Sequence, residues 1–188
     1  MKKTQTQTTA QHLSLALSSL LFLSQSLFTR GYALEINSAD AFIDFAKKVN
    51  SGSNYAGDTV YLTSNLDFSS YSSSFVPVGK SNDASIFRGT FDGRGHTISN
   101  LKVSTDEFPF LGVFGYSSGA TIKNLVVDES CSFESGYLVY NVNCAVGGII
   151  GWCYSSEGEC IVEGCVNMAS IEYAGTYVNC NLPWRNCW

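Results

Sequence analysis

The chain has 188 residues, of which 45% are hydrophobic, 13% aromatic and 14% charged, with a net charge of −5. That length excludes two large domains, and that composition excludes a disordered chain or a coiled coil. An acidic balance without clustered Lys and Arg excludes a phosphate-binding surface, so nucleic acid is not an expected partner. Seventeen Gly against three Pro indicate short strands joined by many turns, and hence an all-β fold.

Residues 1–33 have the pattern of a secretory signal peptide. Lys2 and Lys3 precede a polar spacer and an apolar run from Leu13 to Phe28. Gly31-Tyr32-Ala33 then places small residues at −3 and −1 of a cut after Ala33. The run is 16 residues long and broken by five Ser and one Gln, whereas a spanning helix needs ~20 apolar residues. An uncleaved anchor is the competing reading. Cleavage would leave 8 basic against 16 acidic residues. No other segment is long and apolar enough to span a bilayer, which predicts a secreted or cell-surface location.

Residues 34–57 are expected to form an N-terminal capping region. Ser38 is an N-cap candidate, Asp40 an early acid, and Lys47 and Lys48 late cations before Gly52. Phe42, Ile43, Phe45, Ala46 and Val49 make one apolar stripe. Thr59-Val-Tyr-Leu-Thr63 reads as a strand, and Phe75-Val-Pro-Val-Gly79 as part of the next coil.

An internal repeat follows. Phe87-R-G-T-F-D-G-R-G-H-T-I-S-N-L-K-V103 and Phe110-L-G-V-F-G-Y-S-S-G-A-T-I-K-N-L-V-V127 share F-x-G-x-F, a Gly-containing turn and T-I-x-N-L-x-V. A degraded third copy runs from Val146 to Trp152 and from Ile161 to Asn167. A spacing of 23 to 24 residues between the first two copies marks a solenoid. Strand alternation would put Ile98 opposite Leu101 and Val103, so the chain must bend between them. Asn100, Asn124 and Gly164 occupy that bend, and these residue types tolerate a left-handed backbone. Stacked copies would place Ile98 on Ile122, Leu101 on Leu125 and Val103 on Val127, making a parallel β-helix of about five coils over residues 58–170. A β-sandwich and a leucine-rich repeat are the competing folds. Residues 171–188 are an incomplete last coil or tail.

All seven Cys lie beyond residue 130, which agrees with an oxidising compartment. Short loops favour the disulfides Cys153–Cys160, Cys131–Cys144 and Cys180–Cys187. Cys165, in the place of Leu101 and Leu125, is the candidate unpaired buried thiol. The chain has no C-x-x-C pair and no His after His96, so no metal or cofactor is expected.

The segments FRGTFDGRGHTISNLKV, LGVFGYSSGATIKNLVV and GGIIGWCYSSEGECIVEGCVN resemble GLUG-type repeats of large secreted and cell-surface proteins. The likeness covers roughly residues 35–167; the Cys-rich final third departs from it. The resemblance implies a right-handed, single-stranded, pectin-lyase-like β-helix that serves as an extracellular binding or spacer module.

No catalytic residues emerge. Ser99, Lys102, Lys123, Val126, Glu163 and Val166 are the expected outward positions, and they offer no paired carboxylates for glycoside hydrolysis. Asp92 and His96 in FDGRGH read as a turn. Tyr116, Trp152 and Tyr154 are the candidate stacking surface for an extracellular glycan or a surface protein, with Tyr173, Tyr177, Trp184 and Trp188 as further aromatics; Phe87, Phe91, Phe110 and Phe114 are expected core rings. No N-x-S/T sequon would place a glycan over that face. The expected function is binding or adhesion without catalysis. The alternatives are a polysaccharide lyase or hydrolase using Lys102 or Lys123, and a structural fragment of a larger surface protein.

Overall fold

The structure, a computed structural model, describes residues 33–71, 75–80, 84–136, 144–155 and 158–173. The expected signal segment up to Tyr32 and the positions Tyr177, Cys180, Trp184, Cys187 and Trp188 lie outside the described residues. Among those described, the chain is mostly β with one helix.

Helix α1 (Ala39–Asn50) forms where its stripe and caps predict. Ser38 Oγ accepts a hydrogen bond from the Ala41 amide at 3.2 Å, and the turn after it closes through Gly52 at φ 109°. Ala39, Phe42, Phe45, Ala46 and Val49 are buried. Phe42 meets the rings of Phe45, Phe68, Phe75 and Phe91 at centroid distances of 5.8 to 6.0 Å. Such pairs add about 0.5–1.5 kcal/mol each beyond burial. The helix therefore docks on the strand core through aromatic rings.

A strand that the sequence did not signal precedes it. β1 (Ala33–Ile36) pairs in parallel with β2 (Thr59–Leu62), Ala33 opposite Thr59. Four residues with one clear apolar–polar alternation are too few for periodicity to register. The strand begins at the residue after which the cut was expected.

From β2 onward the chain visits its sheets in a fixed order. β3 (Leu66–Asp67) comes next. β4 (Thr90–Asp92), β5 (Thr97–Ser99), β6 (Lys102–Thr105), β7 (Phe110–Leu111) and β8 (Phe114–Ser117) each enter a different sheet. β9 (Thr121–Lys123), β10 (Val126–Val127), β11 (Ser132–Ser135), β12 (Ala145–Val146) and β13 (Ile150–Cys153) enter the same five in the same order. β14 (Ile161–Glu163), β15 (Val166–Asn167) and β16 (Ser170–Tyr173) revisit the first three. Sheet I is β1-β2-β4-β9-β14, sheet II is β3-β5-β10-β15, sheet III is β6-β11-β16, sheet IV is β7-β12 and sheet V is β8-β13. All of these pairings are parallel.

The register corrects the expected stacking. Ile98 pairs with Val127 and Leu66, not with Ile122. Ile122 pairs with Phe91 and Val162, and Val103 with Phe133 rather than Val127. Leu101 stands at the corner from sheet II to sheet III and Leu125 at the corner from sheet I to sheet II, so they do not share a row. The repeated motif encodes a corner, and the chain uses it at two different corners of one circuit. Only the third copy stacks on the second position for position. A full circuit therefore takes 31 residues (60 to 91 and 91 to 122), then 40 (122 to 162). From β2 onward sheet I is visited four times among the described residues, where about five coils were expected.

The corner chemistry is as expected. Asn100, Asn124 and Gly164 take φ of 58°, 51° and 59°. Each Asn is bracketed by an Asp of the preceding circuit: Asn100 Nδ2 donates to Asp67 at 2.9 Å, and Asn124 Nδ2 to Asp92 at 3.1 Å. Each Asp also accepts the amide two residues on, from Ser69 at 2.8 Å and Arg94 at 2.9 Å. Hydrogen bonds from the Ser69 amide and Asn100 lower the Asp67 pKa below its ordinary 3.8. At Asp92 burial pushes upward, but the Arg94 amide, Asn124 and the charges of Lys123 and Arg94 outweigh it, and the net shift is downward.

Asn124→Ala should destabilise the fold by about 2 kcal/mol, combining an L-residue's left-handed penalty of roughly 1–2 kcal/mol with a lost hydrogen bond. Asn124→Gly should lose only the hydrogen bond. Urea unfolding would distinguish them, and equal losses would remove the backbone conformation as the cause. Because Asp67 and Asp92 have depressed pKa values in the folded chain, their stabilisation is complete above the ordinary carboxylate value and lost as pH falls through the depressed one. Unfolding midpoints should drop below about pH 4. Asp67→Asn with Asp92→Asn should be less stable near neutrality and flatter across that window.

Candidate ligand-stacking surface

Two apolar clusters divide the interior. The larger runs from α1 through inward residues of all five sheets, including Leu111 of β7 and Phe114 of β8. The smaller is built on Ile86, Phe110 and Tyr116, with Ala145 and Trp152 packed against it. Phe110 is a buried, stacked ring as expected, but it belongs to the smaller cluster. β7 and β12 carry Phe110 and Ala145 side by side, and β8 and β13 align Tyr116 with Trp152.

The three expected stacking residues come together here. Phe110 lies between Trp152 and Tyr116, with centroids 5.2 and 5.4 Å away at interplanar angles of 27° and 21°. Tyr116 in turn stacks on Tyr154 at 5.9 Å and 21°. The result is a strip ordered Trp152, Phe110, Tyr116, Tyr154. Its members are unequally available: Tyr116 is 8% exposed, Trp152 half-buried and Tyr154 41% exposed. The expectation of one open platform is corrected, because Tyr116 is an interior member. The Tyr154 end and part of Trp152 are what a ligand can reach.

Cys153 and Cys160 form the expected disulfide, which closes the loop that carries Tyr154. Closing so short a loop contributes about 2–3 kcal/mol in the chain-entropy picture. Cys131 is a free thiol, so the expected Cys131–Cys144 bond is not made. It points inward at the corner after β10, where its Sγ donates to the Ile98 carbonyl at 3.4 Å, whereas Cys144 precedes β12 in another sheet. Burial raises the Cys131 pKa. Cys165 is free as expected, occupies the place of Leu125 and is half-buried rather than buried.

The other candidates are dispersed. Lys102 is exposed on sheet III, and Lys123 on sheet I lies 3.7 Å from Asp92. Asp92 and His96 do not engage each other in a relay: His96 Nδ1 lies 3.3 Å from Asn65 Oδ1, while Asp92 holds the corner. Arg94 places its guanidinium 3.9 Å from the Tyr61 ring centre, beside Glu35. FDGRGH is a structural turn. Tyr173 ends β16, far along the chain from the strip's strands. Among the described residues no group of three or more His, Cys, Asp or Glu is arranged to hold a metal ion, and no helix is long and apolar enough to cross a membrane.

Phe110, a strip residue, and Ile86, which packs in the same cluster, were missed by sequence reasoning. Phe110 aligns with the core residue Phe87 in the repeat, and only the strand face that each occupies separates the two. Comparisons with protein-family models, with curated proteins and with solved structures found no match to this chain.

Replacing Cys153 and Cys160 together by Ser should lower stability by about 2 kcal/mol and increase acrylamide quenching of Trp152 fluorescence, read with Trp184 and Trp188 changed to Phe. Unchanged quenching would mean that the loop does not hold the strip.

Proposed function

We propose that this chain is a secreted or cell-surface right-handed parallel β-helix of the GLUG-repeat kind, and that it binds an extracellular glycan or surface protein without transforming it. Support for the architecture comes from the fixed order in which parallel strands revisit five sheets. The observation that carries the binding role is the aromatic strip outside the main core, with Tyr154 exposed at one end and Trp152 half-buried at the other. Aromatic faces recognise sugars through apolar C–H surfaces and protein partners as interface anchors, and they need no charge to do so. An acidic chain whose Lys123 is beside Asp92 suits such a neutral contact better than capture of a uronate polymer.

The test is a glycan and surface-protein array probed with the purified chain and with Trp152→Ala and Tyr154→Ala variants. Binding that each substitution weakens by up to about tenfold, with no polysaccharide cleavage, is the expected result; each ring is worth about 0.5–1.5 kcal/mol in a stacked contact. Cleavage of uronate polymers abolished by Lys102→Ala or Lys123→Ala would establish the enzymatic reading instead. Retained binding in both aromatic variants would remove the strip from the reading.

A further inference from the structure

The last circuit is apolar in places where earlier circuits are not. Ile161, Val162, Val166, Met168 and Ile171 are 43 to 53% exposed, and all lie on or between β14, β15 and β16. Val162 and Ile171 continue rows whose preceding members, Ile122 and Phe133, are fully buried. Those two stand at the last level of the stack among the described residues. Ile161 is different, because it occupies the outward row held by Thr59, Thr90 and Thr121. Val166 likewise continues the outward row of Thr97 and Val126. The patch therefore extends from the end of the core onto the flank.

β14, β15 and β16 are also terminal strands of their sheets among the described residues, so each offers a backbone edge. The charge of this region has one sign. Glu159, Glu163 and Glu172 are present, and residues 158–173 contain no Lys, Arg or His. Along sheet I, Asp92, Lys123 and Glu163 alternate in register, and on sheet III Glu172 sits beside Glu134. The next strand in each row would best carry a cation. A second copy docking through this face would bring its own carboxylates against these and meet like-charge repulsion.

We propose that β14–β16 form a docking edge for a segment of another protein that follows them in parallel through the same corners, with apolar residues facing the stack and Lys or Arg beside its carboxylates. One cation lies opposite Glu163 and another opposite Glu172. Main-chain hydrogen bonds give the affinity, the apolar residues cover Val162 and Ile171, and the cations set specificity. This inference uses a surface separate from the aromatic strip and stands or falls independently of it.

The test uses the full chain and two labelled peptides of about 13 residues. Both carry Gly opposite Gly164, so that they can turn with the chain, and apolar residues at the positions facing Val162, Cys165 and Ile171. One carries Lys opposite Glu163 and Glu172, and its twin carries Glu at both places. Fluorescence anisotropy should show the Lys peptide binding about tenfold or more tightly than its twin, with hydrogen exchange slowed at β14–β16 amides. The preference should shrink with added salt and reverse in a Glu163→Lys, Glu172→Lys variant. Equal binding of the two peptides, or no protection of those amides, would overturn the proposal. So would a concentration-dependent dimer with the same amides protected, which would make a second copy the occupant. Loss of pre-existing protection on deleting residues 174–188 would likewise overturn it, by assigning the edge to the chain's own segment.

Discussion

The left-handed corner held by an Asp from the circuit before it is the contact on which the rest of this structure depends. A parallel stack needs the chain to change direction at the same place in every circuit, and hydrophobic burial alone is too non-directional to fix where. The Asp67–Asn100 and Asp92–Asn124 brackets supply that direction. Each Asp ties its own turn through the amide two residues on, and offers the remaining acceptor capacity to the Asn above. The pair thus links a local turn to the position of the next circuit. At the third level of the second corner the side chain disappears: Gly164 keeps φ at 59°, and a β-carbon there would meet Asn124 Oδ1 at 2.8 Å. Backbone freedom replaces the bracket at this level, because glycine takes the positive φ without a side chain to hold it.

Much of this was legible in the sequence. Ser38, Asp40 and the Phe42–Val49 stripe signal a helix because capping and period 3.6 are local properties. The bend at Asn100 and Asn124 follows from alternation alone. What the sequence concealed is the distance between like positions. Two copies 23 to 24 residues apart look like consecutive circuits, but T-I-x-N-L-x-V describes any corner between two inward strands. One circuit contains more than one such corner. Self-similarity therefore identified the unit of bending and understated the length of a circuit. Cys131 illustrates the same error, since its row partner is set by the corner that Leu101 occupies in the circuit before, which spacing to Cys144 does not reveal.

The candidate surface was only partly legible for a related reason. Tyr116, Trp152 and Tyr154 stood out because the repeat does not constrain them, and the structure does bring them together. Their assembly depends on Phe110, which the repeat equates with a core ring. Phe110 lies on the opposite face of β7 from its neighbour Leu111, which enters the main core, and so becomes part of a second cluster. Side-chain type was right, and the face of the strand decided the role.

The stack is unequal along its length. Near α1 the interior is filled by interlocking Phe rings, among them Phe42, Phe45, Phe68, Phe87 and Phe91. Beyond Phe133 the fillers shrink to Val162, Cys165 and Ala169, and the row Leu66, Ile98, Val127 ends in Asn167, whose side chain accepts the Ala169 amide. Small residues bury less area and make fewer dispersion contacts, so each added circuit contributes less than the one before. The Cys153–Cys160 bond falls at this transition, joining the end of β13 to the start of β14. A covalent clamp there restrains the last circuit where packing has become weakest, and it leaves β14 to β16 ordered while their outer edges stay unpaired among the described residues. Order without a filled core is the condition an edge must meet if another strand is to add to it.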